Sequence, residues 1–196
     1  MLSSIHPLGE RAKHNSFALT ATSFIVGSLF GGLLVGAVAA AGAALLGTFV
    51  TPAAAAFGFA VFAVLAAFVE RLGARLPSWR RQVSEDWLTT YRGWVYGAGF
   101  GVQLGAGVLT IITSAAVPLA LAAALLSGTP LAAVLICGSF GLARGLTILS
   151  VARVNTPDDL FRFHRRLQSS AGRVRTVASS VLAITGGIVA ATISFP

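Results

Sequence analysis

The chain has 196 residues, 56% of them hydrophobic and only 10% charged, with a net charge of +8. Soluble domains carry about 25% charged residues, so a single water-exposed globular core is excluded. The basic residues stand between apolar runs and not along one face, which argues against nucleic acid as a partner and for contact with anionic lipid headgroups.

Residues 1–16 form a polar segment holding Arg11 and Lys13, and an uncharged stretch follows from Phe17 to Val69. The apolar core of a signal peptide is about 7–15 residues long, so this stretch reads as uncleaved membrane helix. Thr48-Phe49-Val50-Thr51-Pro52 interrupts it and divides residues 17–69 into a first transmembrane hairpin. Residues 70–92 make a linker carrying Arg71, Arg75, Arg80, Arg81 and Arg92. At its end Trp87, Tyr91 and Trp94 recur at helical spacing on one face, and Ser84 is placed to cap their helix. Trp79 and Tyr96 add to the aromatic belt expected at headgroup level.

Residues 93–152 are a second apolar stretch, split by the turn Ser127-Gly128-Thr129-Pro130 into a second hairpin. Residues 153–175 then carry Arg153, Arg162, Arg165, Arg166, Arg173 and Arg175. Thr156-Pro157-Asp158-Asp159 is a helix start, with a capping hydroxyl, proline in the first turn and acids at the positive end of the dipole. Leu160, Phe163 and Leu167 share a face opposite Arg162, Arg165 and Arg166. That pattern predicts an amphipathic helix lying on an anionic membrane surface. Residues 176–196 hold the last apolar run.

The fold expected from these runs is all-α: a polytopic transmembrane bundle of about five spans, two related hairpins plus a C-terminal span. All three basic regions then fall on one side. The positive-inside rule makes that side cytoplasmic, with the N-terminus in and the C-terminus out, in the inner (plasma) membrane. The hairpins echo one another. Ala43-Ala44-Leu45-Leu46-Gly47 resembles Ala123-Ala124-Leu125-Leu126-Ser127, and each is followed by Thr-Pro, at Thr51-Pro52 and Thr129-Pro130.

The first and third apolar runs exceed a simple span, since ~30 residues give ~45 Å against a hydrocarbon core of ~30 Å. Both contain breakers, and a long tilted helix and a broken helix facing a cavity stay open as readings. Gly97, Gly101 and Gly105 repeat at four-residue spacing, as do Gly27 with Gly31 and Gly141 with Gly145. Small residues so spaced let helix backbones approach where lipid supplies no hydrophobic drive, within the chain or in a homodimer.

Arg144 is the formal charge lying well inside an apolar run. It is costly there, and such a residue marks either structural pairing or a ligand pathway. Gln103, Thr110, Thr113 and Ser114, followed by Pro118, add polar groups in the third run. Inside a helix Pro118 would free the carbonyl of Ser114. These residues are candidates for a solute pathway. No catalytic set and no metal-ligand spacing emerges from His6, His14 and His164, and no cofactor is expected. Cys137, the single cysteine, lacks the second sulfur that a thiol relay needs.

The stretch from Tyr96-Gly97-Ala98-Gly99-Phe100-Gly101 through Phe140-Gly141-Leu142-Ala143-Arg144-Gly145 to the last span resembles the second half of the CcdA/DsbD-type membrane proteins, small Gly-rich bundles related in fold to LysE-type exporters. That family passes electrons across the membrane with one cysteine in each of two repeats. Here no position of the first or third run is cysteine. The resemblance therefore implies solute passage or a scaffold and disfavours redox relay.

The sequence leads first to a small transporter-type inner-membrane protein moving a small solute, an anion being the candidate class. The alternative is a non-catalytic subunit or assembly factor of a larger membrane complex. A thiol-linked redox protein is a remote third. A polar cavity reaching Arg144 and Gln103 favours the first; a dry interior with an apolar outer groove favours the second.

Overall fold

A computed structural model describes residues 5–74, 87–107, 112 and 114–194. Regular structure among them is entirely helical: α1 Pro7–Ala12, α2 Phe17–Phe49, α3 Pro52–Leu72, α4 Trp87–Thr90, α5 Gly93–Ala106, α6 Ala116–Leu126, α7 Pro130–Leu146 continued by a 3-10 turn Thr147–Val151, and α8 Pro157–Ser194. Among the described residues, four stretches are long and apolar enough to cross a membrane: Phe17–Phe49, Pro52–Leu72, Pro130–Val151 and Pro157–Thr192.

Local chemistry sets the ends. Thr51 caps α3, its hydroxyl accepting the Ala54 N–H at 3.3 Å, and Pro52 opens the first turn. Gly73 closes α3 at φ 64, and the N–H groups of Gly73 and Ala74 satisfy the last carbonyls, those of Glu70 and Val69. Only glycine adopts that left-handed conformation at no steric cost.

The third apolar run is broken. α5 has 14 residues and α6 has 11, and Gly107, at φ 71, ends the former. Neither piece reaches the ~20 residues that a span needs. α2, by contrast, runs unbroken for 33 residues through Gly27, Gly31, Gly32 and Gly36.

Two further expectations are corrected. The basic segment 153–175 and the span 176–196 are not separate elements. α8 is one helix of 38 residues covering both, because no proline or turn sequence stands between Arg175 and Thr176. The N-terminal segment is also more than a polar leader to the first span. Ile5, His6 and Glu10 are buried and α1 is packed into a core.

The described helices group into two compact units, α2, α7 and α8 contributing residues to both. The first comprises Met1–Gly32, Trp79–Thr110 and Gly138–Ser170. Its core is Ile5, Ala21, Phe24, Tyr96, Phe100, Ile148, Val151 and Val154. The second comprises Leu33–Ser78, Ile111–Cys137 and Ala171–Pro196. One of its clusters joins Ala63, Ala66, Ala67, Ala115, Leu119 and Leu182, and another joins Ala39, Ala43, Ala124, Ala133 and Cys137. Alanine dominates this interior while Phe49, Phe57, Phe62 and Phe68 are exposed. Small residues inside and large apolar residues outside is the arrangement that lipid rewards, since the tails solvate large side chains and close packing holds the helices.

Candidate functional site

The glycines form a seam in the first unit. Gly27 abuts the Ala98 carbonyl and Gly31 that of Val102, so α2 and α5 run side by side in the same direction. From α5, Gly97 meets Thr20 and Ser23, Gly101 meets Phe24, and Gly105 lies directly on the Ser28 backbone. From α7, a Cβ on Gly141 would stand 2.6 Å from the Ser28 carbonyl oxygen, and one on Gly145 2.8 Å from the Ser28 side chain. Ser28, fully buried, donates its hydroxyl to the Gly141 carbonyl at 2.7 Å. One serine thus sits where three helices meet.

The polar candidates of the third run separate. Thr110 and Thr113 lie outside the described residues, and Gln103 is half-buried on α5. Ser114 donates its hydroxyl to Glu70 at 3.1 Å, and the Ala115 N–H donates to the same carboxylate oxygen at 2.7 Å. Glu70 therefore meets the start of α6, where N–H groups lack intrahelical partners and the dipole favours an anion. Pro118 falls in the first turn of α6, where its missing N–H costs nothing. The Ser114 carbonyl that it was expected to free accepts the Val117 N–H at 3.3 Å.

Arg144 stands half-buried on α7. Its guanidinium lies 5.7 Å from the centroid of the Phe140 ring. Its Nη1 is out of solvent with no hydrogen-bond partner among the described residues. Cys137 is buried among alanines. Among the described residues no three His, Cys, Asp or Glu side chains group as metal ligands.

Glu10 is the polar residue that sequence reasoning missed. It is fully buried, takes the Tyr96 hydroxyl on Oε1 and takes the Thr20 hydroxyl on Oε2 at 2.9 Å. The Asn15 amide reaches the Tyr96 hydroxyl at 3.5 Å, and Lys13 Nζ lies 5.4 Å from the Tyr96 ring centroid. Beside it His6 caps α1, Nδ1 accepting the Gly9 N–H at 3.1 Å. Burial pushes the His6 imidazole below its ordinary range; Glu10 opposes that shift, and Lys13 and His164 add to it. A helix start with proline at its head was legible at Pro7. The partner Tyr96, far along the chain, was not: expected in the aromatic belt, it is instead fully buried against Glu10.

The interface residues are placed as follows. Trp87 stacks on Phe100 at 6.3 Å between centroids and meets Tyr91 edge-on at 5.6 Å, and Trp94 is exposed. Trp79 and Ser84 lie outside the described residues. Arg162 pairs with Asp159 at 3.5 Å, while Arg165 and Arg166 are exposed.

An open groove of about 480 Å³ marks the second unit, lined chiefly by apolar side chains including Leu46, Val50, Pro52, Phe59, Leu126 and Ile136. Neither Arg144 nor Gln103 borders it.

Among known proteins, the chain is similar to the methylamine utilization protein MauF of Paracoccus versutus, 29% identical over 197 residues, across 93% of this chain and 70% of that protein. No family model matches the chain, and no solved structure does.

Proposed function

We propose that this chain is a multi-pass inner-membrane protein that serves methylamine utilization as a non-catalytic subunit or assembly factor. The likeness to MauF along 93% of the chain carries this reading. The distribution of polar groups supports it. Ser28, Ser114, Glu70 and Thr20 are engaged in bonds that hold the helices of this chain together. Transport called for a polar cavity reaching Arg144 and Gln103. The groove of the second unit is apolar and borders neither, as the accessory reading expects. With α5 and α6 together making one broken crossing, the basic start of α8 and Arg71 at the end of α3 fall on the side of the N-terminus, which supports a cytoplasmic N-terminus with Pro196 outside.

Deletion of the gene tests the reading. The mutant is expected to fail on methylamine as sole nitrogen source, to grow normally on ammonium, and to recover with the chain supplied in trans. Normal growth of the mutant on methylamine contradicts it. Topology is read separately, from reporter fusions at Pro196, expected active outside, and near Arg81, expected active inside.

A further inference from the structure

We propose that Arg144 is the docking point for a carboxylate carried by a membrane-spanning helix of another protein. The inference rests on the accessory reading above, since it needs a partner with a span of its own.

Three observations lead to it. The first is direction. Arg144 lies in the candidate span Pro130–Val151, close to the end at Val151. A snorkelling arginine there would reach toward that near end and its polar surroundings. The guanidinium instead lies over Phe140, one turn back toward Pro130 and farther from the interface. Helical side chains lean that way by default, toward the N-terminus. With the span ending near Val151, a headgroup phosphate would lie on the side away from Phe140.

The second is the unmet donor. A guanidinium has five N–H donors and no acceptor. Nη1 is shielded from solvent without a partner among the described residues, and the Phe140 face offers only partial compensation. The sequence has no Asp or Glu between residues 17 and 69, 93 and 152, or 176 and 196. Neither this chain nor a second copy therefore offers a carboxylate in its apolar runs. Glu70, just past the first of these, is engaged with Ser114 and Ala115.

The third is the neighbouring surface. Ser139 and Ala143 are exposed at four-residue spacing on the same helix, with Leu146 exposed beyond them. Small residues so spaced accept a close-packed helix. A partner helix seated there brings an aspartate or glutamate beside Arg144, and the planar fork takes both carboxylate oxygens at once.

The test uses the purified full-length protein in phosphatidylcholine vesicles. Its probe is a labelled synthetic Leu-Ala transmembrane peptide with one glutamate at the depth of Arg144, or glutamine in its place, and association is read by energy transfer. Wild type is expected to bind the glutamate peptide about five- to tenfold better than the glutamine peptide, the scale of an interhelical hydrogen bond in a membrane. Arg144→Gln is expected to abolish the difference and Arg144→Lys to keep part of it. Equal binding of the two peptides by wild type overturns the proposal, and that comparison stands even if Arg144→Gln fails to fold. Equal binding accompanied by phosphatidylglycerol that copurifies with wild type and not with Arg144→Gln overturns it in favour of a lipid phosphate. The assay contains no methylamine metabolism, so its failure is distinct from failure of the deletion phenotype.

Discussion

Replacing Gly105 by alanine puts a methyl group where α5 rests on α2. A Cβ there would stand 2.6 Å from the Ser28 carbonyl carbon and 2.7 Å from its Cα, while ordinary contact begins at 3.4 Å. The Ser28 carbonyl oxygen lies closer still, so the helices must part by more than an ångström, and the neighbouring contacts of Gly101 and Gly97 loosen with them. Overpacking of this kind costs about 1–3 kcal/mol. Weakening of the Ser28 bond to Gly141 adds about 0.6 kcal/mol, the mean for interhelical hydrogen bonds in membranes. Alanine's helix propensity returns up to about 1 kcal/mol. The net loss is about 1–3 kcal/mol, or a midpoint lowered by roughly 4–8 °C for a loss near 2 kcal/mol in a chain of this size. The control is Gly187→Ala on α8, where nothing lies within 4 Å of the added carbon; it should be neutral or stabilising by up to about 1 kcal/mol. The assay is built in. Cys137, 4% exposed, is the chain's single cysteine, so a thiol-reactive fluorescent maleimide reports its release on heating. A midpoint for Gly105→Ala at or above wild type would refute the seam.

Three further outcomes follow from the same contacts. Glu70→Ala removes the acceptor for the Ala115 N–H and the Ser114 hydroxyl and should lower the maleimide midpoint by an amount equivalent to about 1–2 kcal/mol, the scale of a lost helix cap, while Glu70→Gln loses less. His6 accepts the Gly9 N–H only when neutral. Its folded-state value is depressed, so its contribution is present above about 6.5 and lost as pH falls through the lower folded value. Exchange protection at Gly9, relative to its intrinsic rate, should fall on acidification below about 6.5, and His6→Asn, a cap that does not titrate, should remove that dependence. Asp159 accepts from the Thr156 hydroxyl and from the Asn155 and Thr156 N–H groups, which hold its carboxyl below the usual range. The first turn of α8 should therefore hold above about pH 3.8 and fray as pH falls further, visible as loss of exchange protection at its start, whereas Asp159→Asn should blunt that change.

What was legible in the sequence was the local chemistry. Thr-Pro at residues 51–52 and again at 129–130 opens α3 and α7, and Thr156-Pro157 opens α8, because caps and prolines act within one turn. The spacing of Gly97, Gly101 and Gly105 marked a packing face without naming the helix it meets; that needed the fold to bring Phe24 and Ser28 alongside. The break in the third run was visible as a surplus of glycine and length. Its meaning was not, because Glu70 reaches the start of α6 from an element 45 residues earlier. Glu10 was hidden for the same reason. A lone acid in a polar leader looks solvated until Tyr96, 86 residues away, is placed against it. Where the helix expected over residues 153–175 ends was not legible, because amphipathicity describes faces and not where a helix stops.

The accessory role is tested most directly by one paired measurement on the deletion strain: methylamine-consuming activity in cell extracts, alongside uptake of labelled methylamine by intact cells. A subunit or assembly factor predicts that methylamine-consuming activity disappears from extracts while initial uptake stays at the wild-type rate. Full activity in extracts with uptake abolished would contradict the account and restore the transporter.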